Sequence, residues 1–188
     1  MDYLRRDPDL FQRKGSLIHA PGEDREGCEL TDDKLVMART MLTTLMAIRE
    51  PAITSTRIHN ALDFFFYAWR SYYMPHVCMN LAIVLETLFS PAANTDISQR
   101  VAFHVCRFCG NSEDERVALF TMIKKFYGLR SKIVHGDKPK EHELYELTPR
   151  VFHLVAWLLS RLLSDWELVE TFGNDKKREK MMNQWLFR

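Results

Sequence analysis

A chain of 188 residues, 46% hydrophobic and 27% charged, has the length and apolar content of one globular domain with a substantial core. Its net charge of +1 argues against attraction of nucleic acid to the chain as a whole. Four cysteines (Cys28, Cys78, Cys106 and Cys109) make no disulfide framework in a chain this size, and no apolar run approaches the roughly 20 residues of a spanning helix. The N-terminus carries no apolar signal segment, so the expected compartment is cytoplasmic, without membrane contact.

Residues 1–30 are polar, broken by Pro8, Gly15, Pro21, Gly22 and Gly27, and read as an arm or the remnant of a preceding domain. A helical pattern begins at Thr31, an N-cap residue type followed by Asp32 and Asp33. Free backbone N–H groups and the helix dipole favour acidic residues there. The helix should end near Glu50–Pro51, because the residue before proline disfavours the helical region. A second helix starts near Ser55 or Thr56 and carries Ile58, Ala61, Leu62, Phe65, Phe66, Trp69 and Tyr72 at helical spacing. With aromatics around most of its circumference, it is expected to be central or to sit at an interface.

A third helix runs from about Pro75 to Phe89, and a fourth from about Ile97 to Cys109, where Gly110 stops it. Ser112 and Glu115 have the spacing of a capping box, opening a fifth helix that runs to Val134 or His135. A sixth covers about Leu144 to Ser164, and a last amphipathic piece covers Asp175 to Leu186. No alternating strand pattern and no repeat is present. The chain is expected to be all-α, an up-and-down bundle of about six to seven helices. Residues 31–170 form that bundle, and 171–188 add a C-terminal helix packed on or beside it.

Chemistry concentrates near the end of the fifth helix, where Arg130 precedes His135 by five residues and the pattern stops at Gly136. Arginine supplies a permanent charge and a planar fork suited to phosphate oxygens; histidine suits proton transfer near neutrality. From Lys124 to Lys140 six cations stand against Asp137 alone, a local basic patch in a neutral chain. Five residues at about 100° each set Arg130 and His135 about 140° apart around an ideal helix, whereas Ser131 and His135 share a face. The long arginine side chain curling around the helix, or a second copy of the motif, would bring the pair together.

The phrase Arg130-Ser131-Lys132-Ile133-Val134-His135-Gly136 resembles the Arg-x-x-x-x-His motif of HEPN domains, and its wording is similar to the Apea-like branch. Leu81-Ala82-Ile83-Val84-Leu85-Glu86-Thr87-Leu88-Phe89 resembles that branch's apolar helix with one embedded glutamate. Ile97-Ser98-Gln99-Arg100 resembles its Ser-x-Arg helix start, and Asp114-Glu115-Arg116 falls where Glu-Arg is expected. The resemblance covers roughly residues 31–165. It implies a HEPN-type bundle and a metal-independent endoribonuclease acting in a toxin or anti-phage defence setting, with no cofactor. Arg130 and His135 would be catalytic, with Ser131, Lys132, Glu86 and Arg100 supporting them or binding substrate. RNA, a second copy in a homodimer, and an antitoxin or other defence-system protein are the implied partners. The alternative implied by the family is a non-catalytic binding or dimerisation module that senses nucleotide or nucleic acid, or forms part of a larger defence protein.

Three features carry structural readings. Glu86 lies in an apolar stretch and needs a cation, with Arg100 or Arg130 the candidates. Cys106 and Cys109, with His104 nearby, form half of a zinc pattern but lack a second close pair, and core positions are the favoured reading. The cluster Lys176-Lys177-Arg178-Glu179-Lys180 reads as a solvated helix face.

Overall fold

The computed structural model describes residues 32–48, 56–90 and 96–185. The arm expected at 1–30, the Thr31 cap, Cys28 and the stop at Pro51 lie outside those residues. Among them there is no strand, and eight helices follow one another: α1 (Asp32–Ile48), α2 (Thr56–Arg70), α3 (Met74–Phe89), α4 (Ile97–Cys109), α5 (Glu113–Val134), α6 (Glu141–Leu163), α7 (Trp166–Gly173) and α8 (Asp175–Trp185). The element beyond the expected six to seven is α7. Asp165 caps it, its carboxylate accepting from the N–H groups of Glu167 and Leu168 at 2.9 and 3.4 Å.

Helix α3 is the axis of the molecule. It is apolar nearly all round, so Val77, Leu81, Val84, Leu85, Leu88 and Phe89 are buried against α2, α4, α5 and α6. Each such side chain removed from water contributes about 1.5–3 kcal/mol. The companion face is α6, with Val151, Val155, Leu158 and Leu162 fully enclosed. Pro149 lies inside α6 with its ring in the core, and the helix continues through it.

A buried helix end must find donors for its last carbonyls, because no following turn supplies them. At the end of α3 they come from three other helices. Arg57 of α2 donates to the Thr87 carbonyl at 2.6 Å. Arg178 of α8 donates through one nitrogen to the Leu88 and Ser90 carbonyls, at 3.0 and 2.8 Å. His104 of α4 meets the Phe89 carbonyl through Nδ1 at 3.0 Å; a carbonyl only accepts, so Nδ1 carries the proton. Asp175 ties the two arginines together, at 2.7 Å from Arg57 and 3.6 Å from Arg178.

The cluster at 176–180 therefore divides. Lys176, Lys177 and Lys180 are exposed as expected, but Arg178 is only 2% exposed and is a core residue. Its Nε has no partner. Burial pulls its pKa below the ordinary value, with Arg57 adding to that effect and Asp175 opposing it.

Two stability outcomes follow from the clamp. Arg178→Met keeps the bulk but removes the donor to the Leu88 and Ser90 carbonyls, and should cost about 3 kcal/mol, read as a fall in melting temperature of about 6–12 °C. Burial also lowers the pKa of His104 below its ordinary 6.5, against the pull of the Phe89 carbonyl. The unfolded chain therefore binds a proton more readily than the native one. The His104 contribution is complete above pH 6.5 and is lost as the pH falls below that value. His104→Gln, which still offers an N–H, should flatten that limb in melts recorded across the acid range.

Candidate functional site

Helix α5 positions the residues singled out by the sequence, and both of its ends are fixed by local chemistry. At the start, Ser112 Oγ accepts from the Glu115 N–H at 3.2 Å, while the Glu115 carboxylate turns back to the Asn111 N–H at 2.8 Å. The reciprocal bond thus lands one residue earlier than in the usual capping box. At the far end, Gly136 adopts φ +81°, a conformation that favours glycine. The Gly136 N–H reaches the Ile133 carbonyl at 3.2 Å and the Asp137 N–H reaches Lys132 at 2.8 Å. This is a Schellman ending, and it sets His135 as the C-cap, exposed to solvent.

Between these ends α5 lines an open cavity of about 350 Å³. Lys124, Tyr127, Gly128, Arg130 and Ser131 come from α5, Glu86 from α3, and Ile97 and Ser98 from the start of α4. Positions 124, 128 and 131 form one stripe at helical spacing. His135 continues it: its N–H still donates to the Ser131 carbonyl at 3.0 Å, so the turn joining them is intact. Arg130 starts on another face, about 120° around from Lys124, yet its side chain reaches the same cavity.

Of the two cations considered for Glu86, the partner is Arg130, at 3.6 Å. Both side chains are partly exposed, 34% for Arg130 and 25% for Glu86, so the pair is a modest attraction and not a locked bridge. Tyr127 is buried beside them, its hydroxyl near Glu86 but short of normal hydrogen-bond geometry. Arg130 Nε is likewise buried without a partner. Burial raises the Glu86 pKa above its ordinary 4.5, while Arg130 and then Tyr127 pull it down. Burial, with Glu86 adding its charge, raises the Tyr127 phenol. Lys124 Nζ donates to Ser98 Oγ at 3.2 Å across the cavity mouth.

The expected site residues are therefore only partly brought together. Arg130, Ser131 and Glu86 share the cavity. His135 stands one turn beyond Ser131, outside the lining, and Lys132 is exposed outside it as well. Arg100 is exposed at the start of α4 and touches neither Glu86 nor the cavity. Lys124, Ser98 and Tyr127 line the cavity without having been singled out as site residues. The spacing of Lys124, Gly128 and Ser131 was the available signal for the first, and the Ser-x-Arg helix start was the signal for Ser98.

Among the described residues no group of three or more His, Cys, Asp or Glu side chains is placed to hold a metal ion. His104 is committed to the Phe89 carbonyl, and the Cys106 thiol lies 3.0 Å from the Phe103 carbonyl. Burial pushes the Cys109 thiol up to about 12. Cys78 sits elsewhere in the core, with Thr148 and Arg130 as its polar neighbours. No helix of the described residues is long and apolar enough to cross a membrane. The chain matches no family model, no curated protein and no solved structure.

What the cavity can do chemically is bind an anion. Lys124 and Arg130 outweigh Glu86 by one charge, and the hydroxyls of Ser98 and Ser131 add neutral partners. Glu86→Gln removes the competitor for Arg130 without changing shape. Inorganic phosphate, titrated by calorimetry or by NMR shifts at Ser131 and Gly128, should bind about fivefold more tightly to this variant.

Proposed function

We propose that this chain is a metal-independent endoribonuclease of the HEPN type, acting as a homodimer in a toxin or anti-phage defence setting. One observation carries the reading: Ser131 links the cavity lined by Arg130 and Lys124 to the exposed turn that displays His135. An RNA phosphate held against Arg130 and Lys124 lies beside the face on which His135 sits. His135 then takes the proton from the ribose 2′-hydroxyl or delivers one to the leaving 5′-oxygen, a role worth about 10²–10⁴-fold in rate. Arg130 stabilises the charge that builds on the phosphate oxygens. Glu86 holds the guanidinium in the empty site and yields it to the phosphate. The products carry 2′,3′-cyclic phosphate and 5′-hydroxyl ends, and DNA, lacking the 2′-hydroxyl, is not cut.

A second reading draws on the position of His135 outside the cavity lining. In that case the cavity binds a phosphate-bearing ligand without cleaving it, and the chain is a sensing or dimerisation module. The two separate in one assay. Labelled single-stranded RNA, incubated in EDTA with wild type and with His135→Ala, should be cut by wild type to cyclic-phosphate ends and by the variant at least about 10²-fold more slowly. Binding by both proteins without cleavage by either selects the sensing module.

A further inference from the structure

Gly128 lies inside α5, and no requirement of the fold puts a glycine there. Glycine in a helix interior is less stable than alanine, because it loses more backbone freedom on folding. The glycines that flank α5 have their reasons. A Cβ at Gly110 would stand 2.6 Å from Cγ of Arg116 and 2.9 Å from the Cys106 carbonyl oxygen, and Gly136 holds φ +81°. At Gly128 the backbone is helical, and an added Cβ would meet no atom within 4 Å. The residue is exposed, and it lines the cavity. Alanine would be the more stable choice here, so what the glycine supplies is room.

That room lies at a definite end of the cavity. At about 100° per residue, the lining positions of α5 follow one another around the helix as Arg130, Tyr127, Ser131, Lys124 and Gly128. Arg130 and Gly128 are about 160° apart and mark the two ends of this wall. The Arg130 end is polar. Glu86 stands 3.6 Å from the guanidinium, and both Arg130 Nε and the Tyr127 hydroxyl are buried without a partner. Tyr127 is only 6% exposed, so its O–H waits for an acceptor that bulk water does not provide. The Gly128 end is mixed in character. Lys124 reaches Ser98 Oγ at 3.2 Å, and Ile97 adds an apolar side chain next to Ser98 in the wall. The whole cavity, about 350 Å³, is about ten times the roughly 30 Å³ share of one water. A phosphate at the polar end leaves the Gly128 end unfilled.

We infer that Gly128 is a specificity-determining position, its missing side chain seating the sugar of a phosphate ester whose phosphate lies at Arg130. The hydroxyls of Ser98 and Ser131 match those of a polyol, while Ile97 and the bare helix backbone suit its C–H surface. An alkyl group in the same place would leave the two serine hydroxyls unmatched. The inference rests on the anion-binding reading of the cavity and adds which part of the ligand the open end receives. It holds whether or not the ester is cleaved.

The test is calorimetric titration of the full chain, wild type and Gly128→Ala, with inorganic phosphate, propyl phosphate and ribose 5-phosphate. It is run at about pH 8, where all three are dianions, beside thermal melts of both proteins. Wild type should prefer ribose 5-phosphate to the other two by about threefold or more. Gly128→Ala should melt about 2–4 °C higher than wild type. It should bind inorganic phosphate within about twofold of wild type, and ribose 5-phosphate about tenfold more weakly. A lower melting temperature overturns the inference, because the position would then not be open. Ribose 5-phosphate binding that the variant leaves unchanged overturns it too, as does an equal loss of all three ligands, which would put the phosphate itself at Gly128. Propyl phosphate or inorganic phosphate bound by wild type as tightly as ribose 5-phosphate overturns the assignment of a sugar. Those failures leave the anion-binding reading standing, whereas wild type that binds none of the three overturns that reading and the inference together.

Discussion

The carbonyl groups at the end of α3 are the constraint around which this bundle is arranged. A helix buried to its last residue cannot hand those groups to water, so they must be met from outside the helix. Here Arg57, Arg178 and His104 meet them, and each belongs to a different helix. Hydrogen bonding at one point thereby fixes where α2, α4 and α8 stand relative to the central axis. Two guanidinium groups so close would repel, and Asp175 between them offsets that repulsion. The charge also suits the place, because the end of a helix carries partial negative charge.

That clamp reaches the candidate site through α3 itself. Glu86 lies one turn before the clamped end, its carbonyl accepting from the Ser90 N–H at 2.9 Å. Its side chain emerges toward α5 and meets Arg130. With α3 held at its end and α5 held by Ser112 at one terminus and Gly136 at the other, the Glu86–Arg130 contact is set by two rigid helices. Ends that fray would blur the stripe from Lys124 to His135, since one extra turn residue rotates everything beyond it by about 100°.

Much of this was legible in the sequence where a residue has one physical job. Ser112 and Gly136 mark the ends of α5 because a hydroxyl cap and a left-handed C′ residue have few substitutes. Glu86 announced its need for a cation by lying in an apolar run, although only the packing of α3 on α5 chose Arg130 over Arg100. Arg178 was illegible. A lone buried arginine inside a lysine-rich cluster has the same local pattern as a solvated one, and the carbonyls that bury it lie about 90 residues earlier in the chain. The α2 aromatics were ambiguous for a related reason: helical spacing shows that a face is apolar, not whether its cover is the same chain or another. Helix α7 escaped notice because eight residues hold little more than two turns of periodicity, and only the Asp165 cap marks its start.

Glu86 gives the cavity a property that a bare arginine site would lack. A guanidinium left unpaired at a partly buried position pays a desolvation cost, and a carboxylate at 3.6 Å reduces it without closing the fork completely. Burial disfavours the Glu86 anion, and the Arg130 charge opposes that effect. On the proposed reading, an RNA phosphate entering the cavity would add negative charge beside Glu86 and further disfavour its anion. Phosphate and carboxylate would then compete for the one guanidinium, and the weakness of a partly exposed contact at 3.6 Å favours its exchange.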